Sequence, residues 1–303
     1  MIIGLTGYSG YVGSFLLDKF FRENNIKLIY CLGRKVPTIK SSKIKYLNIN
    51  KLNNLNIKIN LNKVIFAAGG NENLSRNFKE SSKNTVEVLI NFLNCKKIYF
   101  NSIIYLSTAQ VYGDQFKINE NTKARPKNFY GISHLHAEDY LSFYCKNILN
   151  KNFTILRPFN IFGPSFEKSI KRLSLVPTCF CFEAIQKNSI TLLSSGKQYR
   201  DFISLNDFYK KLKYIMLNKR KFQNKIVNFS SGQSIKIIDI AKICGKILSI
   251  ILCKKIKILI KSNKPFKSNK LFAKSKYFKK MKKKLVVKEI ENNIYQIVKK
   301  INF

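Results

Sequence analysis

Hydrophobic positions in the N-terminal part of the chain fall in short solid runs separated by glycine-rich or polar breaks, the pattern of strands buried on both faces. Ile2 to Thr6 is the first such run; Gly7, Gly10 and Gly13 of TGYSGYVG follow it, and Ser14 to Phe21 then takes up helical apolar spacing. Lys27 to Leu32 predicts a second strand ending at Gly33-Arg34, and Val64 to Ala68 a further strand running into Gly69-Gly70. A helix is predicted around Thr85 to Leu93, a strand over Ile103 to Ser107, and a helix carrying Tyr130. Strands that alternate with helices require crossover connections, which are right-handed. The predicted fold class is therefore α/β, a Rossmann-type doubly wound parallel sheet.

A strand, a glycine turn and a helix together suit a pyrophosphate, because glycine lets the backbone approach closely and the helix N-terminus supplies amide donors. The same glycines also suit a tight turn that binds nothing. At the end of the second strand an acidic residue accepts the ribose 2′-hydroxyl of NAD, whereas an arginine suits the 2′-phosphate of NADP. Arg34 leans towards NADP, with an ordinary solvated arginine as the alternative.

The chemistry is concentrated between Ile103 and Glu138. YLSTAQVYGD places Thr108 at the end of an apolar run, and FYGISHLHAE places Tyr130 on a helix. Tyrosine is protonated at neutral pH, so a catalytic phenol needs a hydrogen-bond donor and a nearby cation. Thr108 is the donor, and one helical turn beyond Tyr130 stands His134.

These segments resemble the extended short-chain dehydrogenases/reductases of the NAD-dependent epimerase/dehydratase family over nearly the whole length. LRPFNIFGP (Leu156 to Pro164), YRDFISLND (Tyr199 to Asp207) and NFSSGQSIKIIDIA (Asn228 to Ala241) resemble later motifs of that family, in its order. The resemblance implies an NAD(P)-dependent oxidoreductase or epimerase acting on a nucleotide sugar. It places Thr108, Tyr130 and His134 at the catalytic positions, with His134 where the family has lysine. It gives the dinucleotide Gly7, Gly10, Tyr11, Val12, Gly13, Arg34, Ala67, Ala68, Tyr130 and His134, the last still able to bond the ribose, and gives the substrate Thr108, Asn160 and Arg200, the latter two at its diphosphate. A guanidinium fork suits that anion, although Arg200-Asp201 also reads as a local ion pair.

Departures from the pattern narrow the expectation. The lysine's permanent charge lowers the tyrosine pKa, whereas a histidine supplies only part of it, and only when protonated. This substitution supports an alternative, a dinucleotide-binding or regulatory protein with a weakened active site. Ala109 and Gln110 stand where sugar dehydratases carry acidic residues, so 4-epimerisation or keto-sugar reduction is expected rather than dehydration. No arginine follows Arg220, which leaves Lys264 or Lys267 as point-charge substitutes for a second clamp on the diphosphate.

The chain has 303 residues and a formal net charge of +40, from 56 Lys+Arg against 16 Asp+Glu. The lysines are spread among Asn and Ile, as in Ile44 to Lys63, which reads as compositional bias, and no nucleic-acid-binding motif accompanies them. Lys279 to Lys284 reads as a solvated face. His134 and His136 sit two apart on one helix with no acidic or cysteine cluster beside them, so no metal is expected. Seven cysteines without a CxxC pair suit reduced thiols in a cytoplasmic protein. The apolar run Ile247 to Cys253 is too short to cross a membrane. The expected organisation is a Rossmann domain over 1–160 with a return around 200–229, a substrate lobe over 161–199 and 230–303, and a homodimer.

Overall fold

The computed structural model describes residues 1–70, 75–164, 175–262 and 269–301. Two compact units account for the chain. One comprises Met1–Asp114, Lys123–Arg157 and Leu212–Val227; the other comprises Gln115–Thr122, Pro158–Lys211 and Asn228–Phe303.

The first unit is organised by a seven-stranded sheet. Its strands in chain order are β1 (Ile2–Thr6), β2 (Leu28–Gly33), β3 (Ile44–Asn48), β4 (Lys63–Phe66), β5 (Ser102–Leu106), β6 (Asn152–Pro158) and β7 (Lys225–Phe229). They lie in the order β7-β6-β5-β4-β1-β2-β3. Every pair from β6 to β3 is parallel, with Ile3 opposite both Ile29 and Lys63, and Ile104 opposite both Ile65 and Thr154. Chain order reverses between β1 and β4, and that switch point is where open α/β sheets form their ligand crevice, beyond the carboxyl ends of the strands. This is the doubly wound α/β arrangement that the run-and-break pattern predicts.

Val64, Phe66, Ile103, Tyr105 and Ile155 of the sheet pack with Phe92 and Leu141 from helices on its face. Helix α1 (Tyr11–Phe21) follows β1, and helix α2 (Phe129–Asn147) buries Ala137, Leu141 and Cys145 along one stripe. The helix expected around Thr85 begins earlier, at Phe78, behind an Asn77 cap whose side chain accepts from Glu80 N–H at 2.9 Å. A π turn over Lys83–Glu87 then carries it into Val88–Leu93. Strand β3 lies in the Lys- and Asn-rich stretch read as composition, because its burial is only partial.

In the second unit, helices Thr178–Lys187, Ile237–Ile251 and Lys283–Ile301 share an apolar core that includes Cys181, Ile190, Ile240, Cys244, Leu248, Ile290 and Ile294. All seven cysteines are free thiols. Among the described residues no helix is long and apolar enough to cross a membrane.

Candidate active site

The turn after β1 is fixed by backbone contact. Gly7 has φ +66°, and a Cβ there would stand 2.3 Å from the Ala67 carbonyl oxygen. A Cβ on Gly13 would meet the Gly7 oxygen at 2.0 Å. Gly10 is less crowded: a Cβ there would meet the Gly7 oxygen at 3.2 Å, a contact that this backbone carbonyl would have to relieve by a few tenths of an ångström. Helix α1 starts directly after Gly10, with Tyr11 buried and Val12 half-buried, no side chain capping it and no acidic residue in its first turn. Ala67 and Ala68 continue β4 beside this loop, and Ala68 N–H donates to Thr6 Oγ1 at 2.9 Å. Uncapped amides beside a backbone bare of side chains form a cradle of the kind a pyrophosphate occupies.

At the end of β2, Arg34 is exposed and makes no hydrogen bond or ion pair among the described residues. Tyr8, which the sequence reading passed over, is buried beside it. Its ring lies 2.7 Å from where a Gly33 Cβ would be, and its hydroxyl donates to the Lys35 carbonyl.

Thr108 caps the short turn Ala109–Tyr112, its Oγ1 accepting from Gln110 N–H at 3.2 Å. Asn128 caps α2, with Oδ1 accepting from Gly131 N–H at 2.7 Å and Nδ2 donating to Gln110 Oε1 at 2.6 Å. The segment that carries Thr108 is therefore laced to the start of the helix that carries Tyr130.

One turn into α2, the His134 ring meets the Tyr130 ring edge-on, with centroids 4.6 Å apart and planes at 74°. His134 Nδ1 lies 2.8 Å from the Tyr105 hydroxyl. Nε2 is buried without a hydrogen-bond partner among the described residues. It faces Gly69, where a Cβ would stand 3.6 Å from it. Burial pushes the imidazole from its ordinary 6.5 down to about 3. In this buried surrounding the ring is neutral at neutral pH, as an ordinary histidine mostly is, so what it can offer a ligand is a hydrogen bond and not a charge.

Beneath it lies a network that sequence reading missed. Glu138, a turn beyond His134, accepts from Ser107 Oγ and from Arg157, whose Nε and Nη2 reach its carboxylate at 3.0 Å and 2.5 Å. The Arg157 guanidinium lies over the Tyr112 ring at 4.7 Å. The available signal is an arginine inside the apolar run FTILRPF, where an unpaired charge is too costly to stand.

In the second unit Asn160 and the Arg200 strand meet. Asn160 is exposed, and its Nδ2 donates to the Asp201 carbonyl at 2.8 Å. Arg200 is also exposed, with Nη1 donating to the Tyr199 carbonyl at 3.2 Å. The alternative of a local Arg200-Asp201 ion pair is not what forms: Asp201 is fully buried and accepts from Ser231 N–H at 2.7 Å. Nearby runs a cavity of about 300 Å³ whose lining includes Tyr199, Lys236, Asp239, Lys270, Lys280 and Lys283. Its lysines went unremarked as candidates because nothing in local spacing separates them from the many solvated ones. Lys264 and Lys267, the suggested clamp, lie outside the described residues. His136 is exposed and meets the Phe78 ring at 5.7 Å; no cluster that could hold a metal occurs among the described residues.

The family profile described as NAD dependent epimerase/dehydratase matches residues 3–229. The uncharacterized UDP-glucose epimerase YtcB of Bacillus subtilis (strain 168) is 24% identical over 262 residues, covering 80% of this chain and 81% of its own. A solved UDP-glucuronic acid 4-epimerase from Bacillus cereus, in complex with UDP-glucuronic acid and NAD, superposes with a TM-score of 0.77 at 18% identity over 99% of both chains. RMD from Pseudomonas aeruginosa, complexed with NADPH, superposes with a TM-score of 0.75 at 19% identity, covering 99% of this chain and 98% of its own.

Proposed function

Because the chain belongs to the NAD-dependent epimerase/dehydratase family, we propose that it is an NAD(P)-dependent enzyme that epimerises or reduces a nucleotide sugar at a carbinol or keto carbon. The observation that carries this reading is the pairing, within one unit, of the bare glycine cradle with Tyr130 and a buried His134 whose Nε2 lacks a partner among the described residues. Both features fit a dinucleotide: the cradle matches its pyrophosphate and the orphaned nitrogen its ribose hydroxyl. When bound, the nicotinamide supplies reversible hydride transfer.

In this reading Gly7, Gly10, Tyr11, Val12 and Gly13 hold the pyrophosphate, Ala67 and Ala68 flank it, and Arg34 reaches the adenosine ribose and favours NADP. Tyr130 moves the proton at the sugar oxygen while Thr108 bonds the same oxygen. Ala109 and Gln110 have no transferable proton, which argues against dehydration. Asn160 and Arg200 take the diphosphate, the second unit is the substrate-binding lobe, and the lysine-lined cavity adds point charges for an anionic substrate. The active form is a cytoplasmic homodimer.

The neutral His134 favours a second reading, a dinucleotide binder without turnover. Native mass spectrometry of the purified protein, followed by incubation with a panel of UDP-sugars and chromatographic separation of C4 epimers, tests both. A retained or titratable dinucleotide with interconversion supports the enzyme, and binding without turnover supports the binder. No dinucleotide binding at all removes both.

A further inference from the structure

His134 stands between two hydroxyl-bearing rings, and only one of them is within hydrogen-bond distance of its ring nitrogens. Tyr105, on the central strand β5, is wholly buried, and its hydroxyl has a single partner among the described residues, His134 Nδ1 at 2.8 Å. Which of the two donates decides the tautomer of a neutral imidazole. If Nδ1–H donated to the phenol oxygen, the Tyr105 O–H would have no acceptor and Nε2 would be a bare acceptor, leaving two buried groups unsatisfied. If the phenol donates to Nδ1, its proton is satisfied and a single orphan remains, the Nε2–H. Stranding a buried polar group costs about 1–3 kcal/mol, so the second arrangement prevails.

The Nε2 edge of the ring lies beside Gly69, where a Cβ would stand 3.4 Å from Cε1 and 3.6 Å from Nε2. Gly69 directly follows Ala67 and Ala68, the residues beside the glycine cradle. We propose that Tyr105 is a positioning residue that locks His134 as the neutral Nε2–H tautomer, presenting a hydrogen-bond donor to a ribose hydroxyl of the dinucleotide in place of a cation. The ligand half rests on the functional reading above; the tautomer half does not.

The chain has two histidines, and His136 is exposed, so two imidazoles are readily told apart by ¹⁵N NMR. In the ligand-free protein near neutral pH, His134 is expected to show a pyridine-type Nδ1 and a pyrrole-type Nε2. Tyr105→Phe deletes the donor while keeping the ring, and is expected to relax the single tautomer towards the mixture of a free neutral imidazole and to weaken dinucleotide binding about 3- to 10-fold, the worth of one neutral hydrogen bond. Saturation of the native protein with NAD(H) or NADP(H) should shift the Nε2–H resonance. A pyrrole-type Nδ1 or an imidazolium in native protein overturns the lock, as does an unchanged tautomer in the folded Tyr105→Phe protein. If the lock is seen but the dinucleotide binds without moving Nε2–H, the presentation to ligand is wrong. If the lock is seen and neither dinucleotide binds, the functional reading fails, and with it the ligand half.

Discussion

Arg157 of β6 grips Glu138 of α2 through two nitrogens, at 3.0 Å and 2.5 Å, in a pair that is almost wholly buried. Burial pushes the Glu138 carboxyl up while Arg157 and Ser107 hold it down, and the guanidinium, fastened to the carboxylate and to Tyr112, stays charged. Because Glu138 follows His134 by one turn, the pair fastens the helix that carries Tyr130 and His134 to strand β6 of the sheet.

Removing one partner leaves an uncompensated buried charge, which costs about 3–5 kcal/mol. We predict that Arg157→Met lowers unfolding free energy by about that much in urea titration, whereas Arg157→Met with Glu138→Leu loses distinctly less than the sum of the two single changes. Additive losses would show that the two side chains act separately.

Sequence reading reached the sheet and the glycine turn because runs of β-branched residues and glycine spacing are local signals. Tyr130 and Thr108 stood out as candidates because their motifs are contiguous stretches of sequence. Sequence reading missed Tyr105, Arg157 and the lysines of the second unit's cavity, because burial and pairing are set by residues distant in sequence. A histidine on a helix shows its type in the sequence; that its environment is apolar enough to keep it neutral becomes visible only when β5 lies against it.

Gly10 and Gly13 separate folding from ligand binding. A Cβ on Gly13 collides with the Gly7 carbonyl, whereas one on Gly10 meets nothing closer than 3.2 Å. We predict that Gly13→Ala lowers the melting temperature by clearly more than Gly10→Ala does, while Gly10→Ala weakens dinucleotide binding at least about tenfold by filling the phosphate approach. Undiminished affinity in Gly10→Ala would remove the phosphate from this loop.

Tyr130 carries the proposed proton transfer. Tyr130→Phe is expected to reduce turnover by about 10²-fold to 10⁴-fold with dinucleotide affinity little changed, the signature of a group that acts in the chemical step. A parallel loss of affinity in calorimetry would instead make the phenol a binding group.

Arg34 has no partner among the described residues, so its guanidinium is available to a phosphate. Arg34→Asp is predicted to reverse a preference for NADP(H) over NAD(H), since a carboxylate repels a 2′-phosphate and accepts from a 2′-hydroxyl. Calorimetric titration with both forms decides it, and equal affinities in the native protein would remove Arg34 from the site.

Two buried groups pull stability in opposite directions with pH. His134 has its pKa lowered in the fold from 6.5 to about 3. The unfolded chain therefore binds more protons over that window, and the contribution of the neutral ring is present above about 6.5 and is lost as pH falls towards 3. Asp201 is the reverse: burial outweighs the Ser231 and Gly232 hydrogen bonds and the Lys211 charge, raising it from 3.8 to about 7. Its contribution is complete below 3.8 and is lost as pH rises through 7. The groups that bear on His134 are Tyr105 and Tyr130, with Glu138 one turn away fastened to Arg157. Relative to His134→Gln, the native protein should lose stability as pH falls from 6.5 to about 4; relative to Asp201→Asn, it should lose stability as pH rises from about 3.8 to 7. Urea denaturation across that range gives both differences, and because the slopes oppose, native protein alone should look nearly flat between about pH 4 and 6.5 as far as these two groups contribute. A difference curve that does not bend for His134→Gln would mean that the imidazole is solvated in the folded chain, and the case for a neutral donor at that position would fall with it.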